Sequence, residues 1–142
     1  MKKFVHERQI MWGDLDALGI VFYPRFYEWM DANGHLFFES LDISLGDLFQ
    51  ERKLIFGLVE TSCRYHKPGR YHQKINIVTR IQSITPKLII LKHAIIDKSD
   101  ASLMVEGIEK RICLSARDPE NLFAVKIPED LYACLENARS RH

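Results

Sequence analysis

The sequence predicts an α+β domain in which one curved antiparallel sheet wraps around a single long helix. Three observations lead to this prediction. A strongly apolar helical segment covers residues 24–41, four strand-like segments follow between residues 54 and 115, and the links between those strands are short. Short links favour antiparallel neighbours, because parallel strands need a long crossover. The broad apolar surface of the helix must be covered by other structure, and the sheet is the candidate.

The individual elements are placed by periodicity and by breaks in the pattern. In chain order they are a strand over 4–11, a loop over 13–21, the long helix, a short helix over 44–52, strands over 54–65, 74–85, 88–97 and 103–115, and a final helix over 128–138. The successive strands are expected to form a meander. In the third strand Ile75, Ile77, Thr79 and Ile81 alternate with more polar residues and should share the buried face. Gly34, in the middle of the long helix, predicts the close approach of a strand.

Composition narrows the class of protein. A chain of 142 residues with 46% hydrophobic residues fits one globular domain over residues 1–142, and a net charge of +1 argues against nucleic-acid binding. No segment has the apolar length for membrane insertion. Three scattered cysteines suggest reduced thiols and a cytoplasmic protein, and neither cysteine nor histidine spacing suggests a metal site. His35 and His93 are expected to be packing residues.

The segment ahead of the long helix carries the residues best suited to chemistry. Asp14 and Asp16 stand two positions apart, and Gly19 precedes the helix start at Tyr23-Pro24. Backbone N–H groups at a helix start can hydrogen-bond a carbonyl oxygen and stabilise an oxyanion. A carboxylate beside that carbonyl, with Asp16 as the candidate, can act as nucleophile or as general base for water. The alternative is a loop held by Asx hydrogen bonds, with both carboxylates solvated.

These residues belong to three motifs that closely resemble the signature of the hotdog-fold acyl-CoA thioesterases, of the 4-hydroxybenzoyl-CoA thioesterase type. The motifs read WGDLD at 12–16, GIVFYP at 19–24 and WMD at 29–31. The resemblance implies a sheet wrapped around a helix, two subunits paired edge to edge, a homotetramer built as a dimer of dimers, and acyl-CoA bound between subunits. It also implies that no cofactor is needed.

The same resemblance assigns roles to residues of this chain. Asp16 becomes the catalytic carboxylate, the amide of Tyr23 polarises the thioester carbonyl, and Gly19 lies in the turn between them. Asp14 is expected to organise the loop. Trp29 and Asp31 fall where the family lines the acyl pocket, although core packing and helix solvation are equally open for them.

Three positions depart from the family pattern. Ala17 and Leu18 replace the Pro-Ala that commonly follows the second aspartate, which alters the loop but keeps the carboxylate. Leu58 stands where the hydroxybenzoyl-specific branch has a threonine, so a polar partner for a hydroxylated aromatic acid is lost. Where that branch offers consecutive arginines to the CoA phosphates, this chain has Lys87.

The leading hypothesis is therefore an acyl-CoA thioesterase that hydrolyses an acyl- or aryl-CoA thioester with Asp16. One alternative is a hotdog hydratase or dehydratase acting on acyl thioesters, whose chemistry requires a histidine paired with an acidic residue at the helix start. The sequence suggests no such pair there. The other alternative is a protein that binds acyl-CoA without catalysis.

Overall fold

The computed structural model describes residues 1–140, and the boundaries of the expected elements agree with those observed to within two residues. The observed elements are β1 (Lys3–Gln9), α1 (Pro24–Ser40), α2 (Leu45–Arg52), β2 (Leu54–Tyr65), β3 (Lys74–Ile84), β4 (Leu88–Asp97), β5 (Leu103–Ser115), β6 (Phe123–Ala124) and α3 (Glu129–Ser140). A short 3-10 turn over Trp12–Asp14 and the two-residue β6 were not expected. The α+β class, with a curled antiparallel sheet against a long helix, is confirmed.

The strand order corrects the expectation of a simple meander. The sheet runs β1-β3-β4-β5-β2, with β6 added beside β5, so β3, β4 and β5 form a meander but β2 and β3 are not neighbours. The connection after β2 instead crosses to the end of β1, where the amide of Ile10 donates to the carbonyl of Gln73. Among residues 1–140 strand β2 pairs with β5 alone, and it forms one edge of the sheet.

Helix α1 buries an apolar face against the sheet. Its buried residues are Phe26, Trp29, Met30, Asn33, Gly34, Phe37 and Phe38. In β3 the alternation is as expected, since Ile75, Ile77, Thr79 and Ile81 are all buried. The apolar face of α1 thus packs against the buried face of β3 in two clusters, one with Phe26, Trp29 and Met30 and the other with Phe37 and Phe38.

Gly34 marks the closest approach between α1 and the sheet, as the sequence suggested. A Cβ built at this glycine would lie 3.2 Å from Oε2 of Glu109 in β5 and 3.5 Å from a methyl carbon of Leu91 in β4. Side chains of two strands thus occupy the space that any larger residue would need. The presence of a carboxylate among them is the unexpected part.

Helix α2 is short and has a side-chain cap at its N-terminus. The hydroxyl of Ser44 accepts a hydrogen bond from the amide of Asp47 at 3.2 Å, which caps α2 as expected.

Among residues 1–140 no helix is both long and apolar enough to cross a bilayer.

Candidate active site

The segment before α1 folds back on itself as a small hairpin. Leu15 pairs with Val21 as an antiparallel bridge, and the amide of Phe22 donates to the carbonyl of Asp14 at 2.8 Å. The amide of Val21 also donates to the carbonyl of Gly69 at 2.9 Å, which ties the hairpin to the connection after β2. These backbone bonds hold the loop against the start of α1.

Asp14 organises this loop. It is 7% exposed, and its Oδ2 accepts a hydrogen bond from the amide of Met11 at 2.9 Å. Its Oδ1 faces the guanidinium groups of Arg25 at 3.6 Å and Arg8 at 4.0 Å. The Asp14 carboxylate thus contacts one backbone amide and two guanidinium groups. These contacts confirm the expected role of Asp14 in organising the loop.

Asp16 lies at the turn of the hairpin and is half-buried. Its Oδ1 accepts a hydrogen bond from the amide of Leu18 at 2.8 Å, and its carbonyl accepts one from the amide of Gly19 at 3.0 Å. This is the Asx geometry of a structured turn. Its Oδ2 forms no hydrogen bond with any residue between 1 and 140, so one carboxylate oxygen is free to act.

Tyr23 carries the free backbone donor at the helix start. The amides of Phe22, Arg25 and Phe26 donate to the carbonyls of Asp14, Phe22 and Tyr23 in turn, and Pro24 has no N–H. Within the described chain the Tyr23 amide has no such acceptor. The sequence therefore leaves one N–H at the positive end of the α1 dipole for an external oxygen.

A groove of about 310 Å³ opens beside this amide. Its lining residues are Ile20, Val21, Tyr23, Phe26, Tyr65, His66, Lys67, Pro68 and Gly69. A histidine from the connection after β2 reaches this groove, although no acidic residue is among the nine that line it. His66 lines the groove, and its Nε2 lies 3.3 Å from Oε1 of Glu106 in β5. The two residues are 40 positions apart, and only the pairing of β2 with β5 brings them together.

A second cavity, of about 290 Å³, lies between α1 and strands β2, β4 and β5, and we call it the helix–sheet chamber. Its lining residues are Tyr27, Glu28, Met30, Asp31, Leu58, Thr61, His93, Ile108, Glu109 and Arg111. The structure thus brings together Asp31 and Leu58, two of the residues that the sequence analysis selected.

Two other selected residues lie elsewhere. Trp29 is 5% exposed and packs in the core, edge-on to Phe26 at 5.4 Å between ring centroids and beneath the Arg8 guanidinium at 4.7 Å. Lys87 is exposed in the turn between β3 and β4, where its carbonyl accepts a hydrogen bond from the amide of Cys113.

The chamber contains charged residues that the sequence analysis missed. Oε1 of Glu109 lies 3.1 Å from Nε2 of His93, and Oε2 of Glu109 accepts a hydrogen bond from Nε of Arg111 at 2.6 Å. Nη2 of Arg111 in turn donates to Oδ1 of Asp31 at 2.8 Å. The sequence did carry a sign of this buried carboxylate, because Glu109 falls at an inward position in the alternation of β5. In the structure it faces Gly34 of α1.

The buried end of this chain of contacts holds the His93 ring in place. Nδ2 of Asn33 donates to the hydroxyl of Thr79 at 2.5 Å, and that hydroxyl lies 2.7 Å from Nδ1 of His93. Because the Glu109 carboxylate can only accept, Nε2 of His93 donates to it, whichever partner donates in the contact between Thr79 and Nδ1. His93 is therefore a satisfied packing residue, as expected. His35 is not, since it is exposed and lies 3.7 Å from Asp31.

The environment of Glu109 shifts its acidity in opposing directions. Burial raises the pKa of this carboxyl, but hydrogen bonds and charge from His93 and Arg111 lower it by more, so the pKa lies below its ordinary value. Glu109 is consequently a carboxylate acceptor that is only 4% exposed.

Gly19 supplies a testable feature of the loop. Its φ of +76° lies in the left-handed region, where an L side chain costs about 1–2 kcal/mol. We expect Gly19→Ala to lower the free energy of unfolding by about that amount in urea denaturation, and Gly19→Asn to lower it less. Gly13→Ala is the matched control, because both glycines have open space around a built Cβ but only Gly19 has positive φ. Equal stability of the two alanine variants would contradict this interpretation.

Comparison with known proteins identifies the family. Residues 10–135 match the model of the thioesterase-like superfamily. This chain belongs to the thioesterase-like superfamily. The resemblance to hotdog-fold thioesterases of the 4-hydroxybenzoyl-CoA type is thereby confirmed for family and fold. The curated 4-hydroxybenzoyl-CoA thioesterase of Pseudomonas sp. strain CBS-3 is 25% identical to this thioesterase-like chain over 129 residues, covering 87% of this chain and 91% of that protein.

Solved structures of this superfamily agree with the fold. A gentisyl-coenzyme A thioesterase is 31% identical with a TM-score of 0.78, covering 91% of this chain and 99% of that one. A mutant 4-hydroxybenzoyl-CoA thioesterase in complex with 4-hydroxybenzoyl-CoA has a TM-score of 0.88 at 22% identity, covering 95% of this chain and 99% of that one. The second likeness concerns the hotdog fold alone.

Proposed function

We propose that this protein is an acyl-CoA thioesterase that hydrolyses an acyl- or aryl-CoA thioester to the free acid and CoA. The observation that carries the proposal is the free amide of Tyr23 at the start of α1, on the same hairpin as the unpartnered Oδ2 of Asp16. Membership of a thioesterase-like superfamily supports the reaction class.

In the proposed reaction the thioester oxygen accepts a hydrogen bond from the Tyr23 amide, which polarises the carbonyl. Asp16 either removes a proton from the water that attacks the carbonyl carbon, or attacks that carbon itself. Either route builds negative charge on the oxygen, where the amide and the α1 dipole stabilise it. The tetrahedral intermediate collapses as the C–S bond breaks, and CoA leaves as a thiolate that takes up a proton. Water attack gives the free acid directly, whereas attack by Asp16 gives an anhydride that water then hydrolyses to the free acid and the regenerated carboxylate.

Assembly and location form the rest of the proposal. No strand of the described residues 1–140 pairs with the outer side of β2, and a second copy pairing along this edge would bury it, as the family resemblance suggests. A dimer of dimers is the assembly we propose.

Cys63, Cys113 and Cys134 are all free thiols, which supports the proposed cytoplasmic location.

A second candidate activity is hydration or dehydration of an acyl thioester. His66 favours it, because its imidazole lines the groove beside Tyr23 and lies 3.3 Å from the Glu106 carboxylate, which is outside that lining. The thioesterase remains the leading proposal because of the family match.

The test is a thiol-release assay on the purified protein with acetyl-, hexanoyl-, palmitoyl- and benzoyl-CoA. We expect free CoA to accumulate with at least one of these substrates. A parallel assay follows the loss of crotonyl-CoA absorbance, and hydration there without thiol release would favour the second candidate. Binding of acyl-CoA without either reaction would overturn both activities and indicate a protein that only binds acyl-CoA.

A further inference from the structure

The connection after β2 carries a histidine to the groove beside the helix start. The amide of His66 donates to the carbonyl of Met104 in β5 at 2.8 Å. Three residues later the carbonyl of Gly69 accepts a hydrogen bond from the amide of Val21 at 2.9 Å. The backbone that carries the imidazole is therefore fixed both on β5 and on the hairpin that bears Asp16.

The His66 ring is oriented by a carboxylate. Its Nε2 lies 3.3 Å from Oε1 of Glu106, whose other oxygen lies 3.5 Å from Nζ of Lys92. The hydrogen bond from His66 and the charge of Lys92 hold the pKa of Glu106 below its ordinary value, so this group is a carboxylate near neutral pH. Because a carboxylate can only accept hydrogen bonds, Nε2 of His66 donates to it.

The other ring nitrogen of His66 is left with a free lone pair. Among residues 1–140 no group forms a hydrogen bond with Nδ1, and the side chain is 37% exposed. In the neutral ring Nε2 holds the only proton, so Nδ1 can accept one from water. A histidine held by a carboxylate on one nitrogen, with the other nitrogen open, has the arrangement of a general base.

His66 is also the side chain of this groove that is best suited to accept a proton. The other titratable lining residues are Tyr23, Tyr65 and Lys67, and no carboxylate is among the nine. Phenol and ammonium groups keep their protons near neutral pH, since their ordinary pKa is about 10. Burial raises the pKa of Tyr65 further.

A base other than Asp16 is needed if Asp16 is the nucleophile. In that route an oxygen of Asp16 bonds to the acyl carbon, so the resulting anhydride cannot remove a proton from the water that must attack next. We propose that His66 is the general base of this second step, with Glu106 as its positioning residue. This inference rests on the proposed thioesterase function.

The second step is a hydrolysis in which no atom is left over. Nδ1 of His66 removes a proton from water while the water oxygen bonds to the acyl carbon of the anhydride. The bond between that carbon and the Asp16 oxygen then breaks, which releases the free acid and restores the Asp16 carboxylate. The imidazolium, still held by Glu106, returns its proton to the CoA thiolate through solvent.

The test separates the release of CoA from the release of the acid in His66→Ala, with the best substrate of the panel. We expect one CoA per active site to appear at a rate within about 3-fold of that of the natural protein, followed by a steady state with kcat about 100-fold lower, a contribution typical of a general base. The mass of the acid-quenched variant should increase by one acyl group, and adding Asp16→Asn should remove this increase. Free imidazole should raise kcat of His66→Ala by about 10-fold, because it supplies the missing base.

Two further variants complete the test. His6→Ala removes an exposed histidine of β1 and should leave kcat unchanged. Glu106→Gln should also slow the steady state more than the first release of CoA, because an amide can donate to Nε2 and leave the proton on Nδ1.

Three results would each overturn the role of His66. They are an unchanged kcat in His66→Ala, a loss of kcat without the rapid first release of CoA, and a loss that imidazole does not restore. Absence of CoA release by the natural protein from every acyl-CoA would overturn the proposed function, and this inference with it.

Discussion

Asp16→Asn is expected to lower kcat for thioester hydrolysis by about 100- to 10,000-fold, the contribution typical of a positioned acid–base group. The amide side chain can no longer accept a proton from water or attack the carbonyl carbon. KM should change little, because the substitution removes no charge that the proposal assigns to CoA binding. Single-turnover and steady-state release of CoA from the best substrate of the panel measure the effect.

The fold of the loop should survive this substitution. The side-chain amide oxygen that Asp16→Asn introduces can still accept the hydrogen bond from the amide of Leu18, so the thermal midpoint should remain close to that of the natural protein. Asp14→Asn provides the contrast, because it removes charge from a buried carboxylate beside two arginines and should lower stability. Asp47→Asn, at an exposed site in α2, is the surface control. Full activity of Asp16→Asn would move catalysis to another residue, with His66 as the first candidate.

The elements of this fold were predictable because their signals are local. The period of α1, the alternation of Ile75, Ile77 and Thr79, and the Ser44 cap each depend on a few neighbouring residues. Side chains on one face of a helix or strand repeat at fixed spacings, so burial can be inferred without knowing the partner. The motif before α1 likewise marked a loop that is continuous in sequence.

The features that sequence reasoning missed all depend on strand order. Placement of β2 beside β5 cannot be inferred from the length of the connection, which crosses the sheet and packs on the hairpin. That pairing brings His66 to Glu106. In the same way His93 and Glu109 meet only because β4 and β5 pair in one particular register. Their chemistry was visible in the sequence, but their proximity was not.

Glu109→Leu is expected to lower the free energy of unfolding by about 3–5 kcal/mol, one of the largest single effects in this chain. Removing one partner of a buried ion pair is strongly destabilising, because the remaining groups stay desolvated without their acceptor. Here His93 would lose the acceptor at 3.1 Å and Arg111 the acceptor at 2.6 Å, although Arg111 would keep Asp31 and the carbonyl of Phe56. Urea denaturation at pH 7 measures the loss. Glu7→Leu is the control, since its ion pair with Lys98 is exposed to solvent and should contribute little to stability.

The pH dependence of the stability that Glu109 contributes follows from the direction of its pKa shift. Burial raises the pKa of Glu109, but His93 and Arg111 lower it by a larger amount. The pKa of Glu109 in the folded protein therefore lies below the ordinary value of 4.5. The carboxylate therefore stabilises the fold above that pH, and the contribution is lost as pH falls through the lowered folded pKa. The difference in unfolding free energy between the natural protein and Glu109→Gln should narrow below pH 4.5. A difference that stays constant from about pH 7 to 3 would mean that the Glu109 charge does not stabilise the fold.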